Sequence, residues 1–377
     1  MSDWHNEPGD IVLPTTLLEA LQIDPADMAR YRFLDTVTAT KQRIRDFYLE
    51  HCSISAPLDN MLICQNGTAL ITLLLRALKT NGVNRVLVVT PAYFSVFDNI
   101  ETNGQHLIYV HADITASPSI TGQIIIEMAR AQMVDAIFIT NPIFASGEQL
   151  TAELIDFVID YSCRAGVWVI VDESLAGLPW SGATLGPYTT PVMKTVAGSP
   201  RAVYIWSITK SLFINGLKHS LAIAPSTIVR GMEKAADLMV GGFTAHQLAL
   251  IEKIYDTKNM QQVINCADAN IHQFMHTYDL CCVALQETPL RITAANSGFH
   301  SAVFIPNHHE NSTSRARELV TLMIEAHGIS SIPLAHFGYP ISSPIGVRIN
   351  LSKDPKKLYK ALIALAKIVD ENFNLTN

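Results

Sequence analysis

The sequence predicts an α/β protein with two domains of unequal size. The larger is expected to hold a mostly parallel sheet covered by helices on both faces, and the smaller to be α+β. Between about residues 60 and 226, short β-rich runs recur, most of them continuously apolar, with helical patterns between them. Strands buried on both faces are continuously apolar, whereas half-buried strands alternate. Strands that alternate with helices form parallel sheets.

Each element of the large sheet is predicted from such a run. The predicted strands are Arg85–Thr90, Leu107–His111, Ala136–Thr140, Val167–Asp172, Val203–Ser207 and Leu221–Pro225. Two intervening segments, Ala69–Lys79 and Leu150–Arg164, place apolar residues on one face at helical spacing. We expect both to be helices that cover the sheet.

The two ends of the chain have a different pattern. Leu17–Glu50 is predicted largely helical, and the last third combines a long helix with strands at Ser301–Ile305 and Gly346–Leu351 and an amphipathic helix from Lys356 to Phe373. We therefore expect residues 1–50 and 271–377 to form the small domain and residues 51–270 the large one.

Composition excludes several classes of protein. Of the 377 residues 49% are hydrophobic and 16% charged, which is unlike a disordered chain. The net charge is −7 and no basic run could follow a phosphate backbone, so nucleic acid is not an expected partner. The apolar runs are shorter than the about 20 residues of a membrane span, and the first ten residues lack a secretory pattern. We expect no membrane partner and a cytoplasmic location.

In an open α/β sheet, ligands bind at the carboxyl ends of the strands. Polar residues follow several of the predicted strands at these ends. Tyr93 follows the first strand, Asn141 follows Ala136–Thr140, Asp172 ends the next, and Ser207 and Lys210 come after Val203–Trp206. One edge of the sheet is therefore expected to collect an aromatic ring, an amide, a carboxylate, a hydroxyl and an amine.

Motifs of several other enzyme classes are absent. The chain has no GxxxxGK[ST] phosphate loop, no GxGxxG dinucleotide motif and no GxSxG nucleophile elbow. The run His308-His309-Glu310 is predicted to be a solvated loop, because adjacent histidines point to different sides and no HExxH is present. No metal site is expected.

Pyridoxal phosphate needs the groups found at this edge. A lysine forms a Schiff base with its aldehyde, an acid keeps its pyridine nitrogen protonated, and an aromatic ring stacks on it. The order of these residues, and the sequence around them from about Asn66 to Asn350, resembles the class I/II aminotransferases of pyridoxal-phosphate fold type I. The resemblance implies that Lys210 is the catalytic Schiff-base lysine, Asp172 the pyridine partner and Tyr93 the stacking ring. An aromatic residue at position 93 is explained about equally well by a structural place in the core or in a turn.

The resemblance also implies a phosphate site. The amides of Gly67, Thr68 and Ala69 would bind the phosphate at a helix N-terminus, although a plain N-cap at Asn66 explains this motif equally well in isolation. Ser207 would bind the phosphate too. Lys218 stands where the family normally has an arginine, and supplies charge without the bidentate fork.

Substrate recognition is implied for Arg348, in Gly346-Val-Arg-Ile-Asn350, whose planar guanidinium suits an α-carboxylate. The alternative is an arginine in a surface ion pair. The apolar neighbours Val347 and Ile349 argue against it.

Two positions depart from the family pattern. Phe144 stands where the family usually has an asparagine that donates to O3′ of the cofactor, and Leu175 stands where it commonly has a tyrosine that does the same. Asn141 is the one residue expected to substitute. Without these donors the phenolate would be less stabilised, so the reaction could have diverged.

The resemblance favours an aminotransferase that acts on an amino acid and a 2-oxo acid, as a homodimer. Decarboxylation, elimination or replacement, or cyclisation on the same fold remain alternatives. A ligand-binding protein without catalysis is a third alternative, against which Lys210 and Asp172 argue. The substrate side chain is not predicted.

Overall fold

The computed structural model describes residues 12, 14, 15, 17, 32, 33, 37–182, 186–306 and 313–373. The run His308-His309-Glu310 and much of the first half of Leu17–Glu50 therefore lie outside the described residues. The described part of that N-terminal segment contains helix α1, Thr38–Cys52, which packs through Ile44, Phe47 and Tyr48.

A seven-stranded sheet forms the centre of the large domain. In chain order its strands are β1 Met61–Cys64, β2 Arg85–Thr90, β3 His106–His111, β4 Ala136–Thr140, β5 Trp168–Asp172, β6 Ala202–Trp206 and β7 Ser220–Ile223. Their order across the sheet is β1-β7-β6-β5-β4-β2-β3. Strands β3, β2, β4, β5 and β6 are parallel, and β7 is antiparallel to both neighbours. The predicted α/β fold with a mostly parallel sheet is confirmed.

Strand β1 was not predicted from the sequence, and strand β3 does not have the continuously apolar pattern of the other parallel strands. Strand β1 has only four residues, too few for a periodicity, and runs almost directly into the turn at Asn66. Strand β3 lies at the sheet edge and alternates buried and exposed side chains, because only one of its faces is covered.

Helices connect the strands. In the large domain they are α2 Gly67–Thr80, α3 Phe94–Thr102, α4 Gly122–Ala131, α5 Ala152–Ala165, α6 Pro191–Ala197, α7 Ile208–Ser211, α8 Ser226–Met239 and α9 Ala245–Ile254. Helix α2 illustrates what stabilises these helices. At its start Asn66 Oδ1 accepts a hydrogen bond from the Ala69 amide over 2.9 Å, and its leucine-rich face packs into the core. Helix α5 is capped at the start by Thr151 and ends at Gly166, whose φ of 73° suits glycine.

A smaller antiparallel sheet forms the second domain. Its strands are β8 Arg291–Ile292, β9 His300–Ile305, β10 Ile332–Pro333 and β11 Ile345–Asn350, in the order β10-β11-β9-β8. Helices α10 Thr257–Leu285, α11 Thr313–His327 and α12 Pro355–Asn372 accompany it. No helix among the described residues is long and apolar enough to cross a membrane.

Helix α10 contributes to both cores. Val263 and Ile264 belong to the core of the large domain, whereas Ile271 and Phe274 belong to the core of the small domain. Position 270 falls between these pairs, inside the helix. The division into residues 1–50, 51–270 and 271–377 stays a prediction, with α10 as the element that the two domains share.

Candidate active site

A cavity of about 510 Å³ lies at the carboxyl edge of the large sheet. Strands β4, β5 and β6 deliver Thr140, Asp172 and Ser207 to it, because the ends of parallel strands meet at one edge. The small domain closes the cavity with Phe299, His300 and Asn350.

Lys210 lines this cavity from the short helix α7, directly after β6. Burial lowers the pKa of its amine, the positive charges of Lys218 and Arg348 lower it further, and the carboxylate of Asp172 opposes them. A lowered pKa increases the share of neutral amine, which is the nucleophilic form.

Asp172 ends strand β5 and faces the same cavity. Its Oδ1 accepts hydrogen bonds from the Ser174 amide at 3.0 Å and the Ser174 hydroxyl at 2.6 Å, whereas its Oδ2 accepts none from the described residues. Burial raises the pKa of this carboxyl, and the Ser174 bonds and the Lys210 charge oppose that rise. A cationic partner at Oδ2 would therefore stabilise the ionised form.

Tyr93 also lines the cavity, at the start of helix α3. Its hydroxyl lies 3.4 Å from Thr68 Oγ1, and its ring centroid lies 5.9 Å from that of Phe144. The predicted stacking residue is thus at the cavity, next to the predicted phosphate site.

The N-terminus of α2 supplies part of the wall. The Ala69 amide is used by the Asn66 cap, so the N-cap interpretation is confirmed, and Ala69 itself does not line the cavity. Gly67 and Thr68 do line it, and their amides have no protein acceptor among the described residues. Two free amides at a helix N-terminus attract an anion.

Ser207 and Lys218 also line the cavity. The Ser207 hydroxyl donates to the carbonyl oxygen of His219 over 2.8 Å and lies 3.3 Å from Thr209 Oγ1. Lys218 is exposed, and its effect on the pKa of Lys210 places both ammonium groups within electrostatic range of each other.

Asn141 is not brought to this cavity. Its buried side chain donates through Nδ2 to Glu173 Oε1 over 2.6 Å, and its Oδ1 accepts from the Leu150 amide over 2.8 Å. It lines a separate cavity of about 220 Å³ with Glu173 and Thr190.

Arg348 lies in strand β11 and is completely buried, which excludes the surface ion pair. Its Cζ lies 5.7 Å from the ring centroid of Phe144 and 5.3 Å from that of Phe337. The guanidinium is thus within cation–π distance of two rings. Phe144 lines the cavity, whereas Arg348 does not.

Several cavity residues were not predicted from the sequence. Thr140 Oγ1 and Asn215 Oδ1 are buried and have no hydrogen-bond partner among the described residues. Thr140 is paired with Asp172 in the register of β4 and β5. The rule that singled out Asp172, a polar residue at the end of an apolar strand, would also have found Thr140; Phe94, Phe299 and His300 carry no such signal.

The site fits pyridoxal phosphate. Buried polar atoms without partners are costly, so Thr140 Oγ1 and Asn215 Oδ1 favour a polar ligand, to which Asp172 Oδ2 is also available. The Lys210 amine suits an aldehyde, Asp172 suits a protonated ring nitrogen, and the Gly67 and Thr68 amides suit a phosphate.

Comparison with known proteins agrees with this geometry. The model of the aminotransferase class I and II family matches residues 6–365. The chain therefore belongs to this family. It is a pyridoxal-phosphate-dependent aminotransferase. Comparison with curated proteins gave no significant match.

Solved structures show the same fold at low sequence identity. The aspartate aminotransferase of Rhizobium meliloti is 15% identical, with a TM-score of 0.80, 98% of this chain covered and 90% of that chain. The aspartate aminotransferase of Rhodobacter sphaeroides is 16% identical, with a TM-score of 0.81 and coverage of 97% and 91%. The aromatic aminotransferase of Pyrococcus horikoshii is 16% identical, with a TM-score of 0.78 and coverage of 98% and 94%.

Proposed function

We propose that the protein transfers the amino group of an α-amino acid to a 2-oxo acid with Lys210 as its catalytic residue. The observation that carries the assignment is the half-buried Lys210 amine in one cavity with Asp172, at the edge where the strands end. Bound pyridoxal phosphate supplies an aldehyde that joins amines and a ring that accepts electrons.

Each residue of the chain would have a separate task. Lys210 would hold the cofactor and, once displaced by the substrate amine, take the proton from the substrate Cα as a general base. Asp172 Oδ2 would hold the ring nitrogen in its protonated form. Gly67, Thr68 and Lys218 would bind the phosphate, and Ser207 would do so if its hydroxyl turned away from the His219 carbonyl.

Arg348 would bind the α-carboxylate of the substrate. Its burial and its two aromatic neighbours support this role, because a desolvated guanidinium binds a carboxylate strongly. Since Phe144 lines the cavity beside Arg348, which does not line it, we expect the Phe144 ring to turn when the carboxylate enters.

The assignment of Lys210 is tested by reducing the cofactor-loaded protein with borohydride and mapping the labelled peptide. We expect the label on Lys210 and on no other lysine. A single turnover with an amino acid should release the 2-oxo acid, and a second 2-oxo acid should restore the starting spectrum. Lys210→Ala should abolish both results, whereas Lys367→Ala, at an exposed position, should change neither.

A homodimer and a cytoplasmic location remain predictions. The cavity-lining residues Thr68, Gly216 and Lys218 are exposed, which supports a second subunit covering the cavity there. Sedimentation analysis of the purified protein tests this. A monomer at micromolar concentration would contradict it.

A further inference from the structure

Part of the cavity lining outside the cofactor residues is aromatic. Phe94, Phe144, Phe299 and Leu175 line it together with His300, and we call these five residues the aromatic wall. The His300 ring centroid lies 6.1 Å from that of Phe144 and 4.4 Å from that of Phe299. Three members of the wall thus form one continuous surface, which Phe144 extends to Tyr93.

The charged groups near this wall already have roles. Among the described cavity residues the lysines and acids are Lys210, Lys218 and Asp172, all assigned to the cofactor. Burial, followed by the positive charges of Arg348 and Lys210, holds the pKa of His300 well below its usual value, so its ring is neutral. Apart from these three residues, no lysine, arginine or acid is among the described residues that line the cavity.

A charged substrate side chain would therefore be poorly accommodated. A second carboxylate would lose its hydration against aromatic faces, which carry partial negative charge. A second ammonium group would approach Lys210 and Arg348, two like charges. An apolar side chain would instead bury its surface against the wall, which is favourable.

We propose that the substrate side chain is uncharged and apolar, either aromatic or branched aliphatic, and that the aromatic wall is its binding site. This inference rests on the proposed function, because Arg348 must hold the α-carboxylate for the side chain to reach the wall. It assigns Phe299 and Phe144 as residues that determine specificity.

Carboxylates without an amino group test recognition separately from the reaction. We would measure dissociation constants of 3-phenylpropanoate, 4-methylpentanoate and glutarate for the cofactor-loaded protein by spectral titration. We expect the two apolar compounds to bind at least about tenfold more tightly than glutarate, since a single methylene in a hydrophobic pocket already gives about 10–200-fold. Glutarate binding as tightly as 3-phenylpropanoate, or more tightly, would overturn the inference.

Substitution at the wall gives an independent test. Phe299→Ala should weaken the binding of 3-phenylpropanoate about tenfold or more, whereas the binding of propanoate, which lacks the phenyl ring expected to contact Phe299, should change less than about twofold. Phe299→Leu keeps most of the packing with Phe213 and should give a smaller effect of the same sign if the alanine variant does not fold. Phe157→Ala, at an exposed position on α5, is the control and should alter neither constant. Equal weakening of propanoate and 3-phenylpropanoate by Phe299→Leu would argue against a side-chain site here.

Failure of this inference differs from failure of the proposed function. If aspartate or glutamate is converted to its 2-oxo acid faster than phenylalanine or leucine, the protein is an aminotransferase with another specificity, and only the aromatic wall loses its role. If no amino acid yields a 2-oxo acid and no carboxylate binds, the proposed function itself is wrong, and this inference with it.

Discussion

The side-chain amide of Asn141 donates to Glu173 Oε1 over 2.6 Å, and both residues line a cavity other than that of Lys210. Glu173 is completely buried and also accepts hydrogen bonds from Thr190 and Tyr204. The one residue expected to replace the missing O3′ donors is thus engaged in another network. Thr140, whose hydroxyl has no partner among the described residues, lies at the cavity instead.

Thr140 is expected to influence the cofactor spectrum. Thr140→Val removes a hydroxyl with little change of shape, so if this hydroxyl donates to O3′, the pKa of the pH-dependent absorbance change should rise, because a hydrogen bond to the phenolate favours the deprotonated form. Leu175→Tyr and Phe144→Asn, which would add a donor at the cavity, should lower it. Thr80→Val, exposed at the end of α2, is the control. If Thr140→Val, Leu175→Tyr and Phe144→Asn all titrate like wild type, the O3′ donor lies elsewhere.

Replacing Asp172 should separate cofactor binding from the reaction. Asp172→Asn keeps the size of the side chain but cannot hold a ring nitrogen in its protonated form. We expect the cofactor to bind while the rate of Cα deprotonation falls by about a hundredfold or more, as when one preorganised electrostatic partner is lost. Single-turnover absorbance with a deuterated amino acid measures this step. Asp160→Asn, at an exposed site on α5, should react like wild type, and an unchanged rate in Asp172→Asn would remove the role assigned to it.

Arg348 should control affinity for carboxylates. Arg348→Leu removes a charge-assisted pair in a buried site, which typically costs about 2–5 kcal/mol. Arg348→Lys should recover little of this, because an ammonium lacks the planar fork. Titration with propanoate gives the dissociation constants. The cofactor content of each variant is the internal control for an intact site. Arg291→Leu, on the exposed strand β8, should bind propanoate normally. Unchanged binding by Arg348→Leu would move the carboxylate site elsewhere.

Glu173 should make folding stability depend on pH. Burial raises the pKa of its carboxyl to about 7 in the folded protein, against a model-compound value of 4.5. The folded state therefore binds a proton more tightly than the unfolded state. Its stabilising contribution is fully present below about pH 4.5 and is lost as the pH rises through about 7. Wild type should lose stability over this window.

Glu173→Gln isolates that effect. The glutamine Oε1 can accept a hydrogen bond from Asn141 while the glutamine Nε2 donates to the hydroxyls of Thr190 and Tyr204. The hydrogen-bond network is therefore kept without the titrating group. Denaturant unfolding from pH 4.5 to 7.5 should show a smaller decline in the free energy of unfolding than in wild type. The exposed control Glu101→Gln should follow wild type. Parallel pH profiles for wild type and Glu173→Gln would show that Glu173 does not titrate in this range.

The sequence was most informative where one local rule decides the structure. Continuous apolar runs such as Val169–Val171 predict buried parallel strands, and the residue that ends such a strand must lie at the sheet edge, which is why Asp172 and Lys210 could be placed together. Asn141 satisfied the same rule, yet its side chain turned to Glu173, because a buried carboxylate demands donors more strongly than an open cavity does.

The remaining site residues depend on contacts between distant parts of the chain. Phe299 and His300 come from the small domain and reach the cavity only when that domain packs on the large one. Neither residue has a spacing that marks it in the sequence. Phe144 likewise looked like a lost donor, and its position against the guanidinium of Arg348, a residue from strand β11, was not predictable from local pattern.

Helix α10 has a mechanical consequence. Its first half is packed into one core through Val263 and its second half into the other through Phe274, so a rotation of the small domain would act on one continuous helix. Helix α10 would then act as a lever between the two cores. A small displacement at the Val263 end is carried through the helix to the Phe274 end, and Phe274 touches Phe299, which lines the catalytic cavity, at a centroid distance of 6.2 Å.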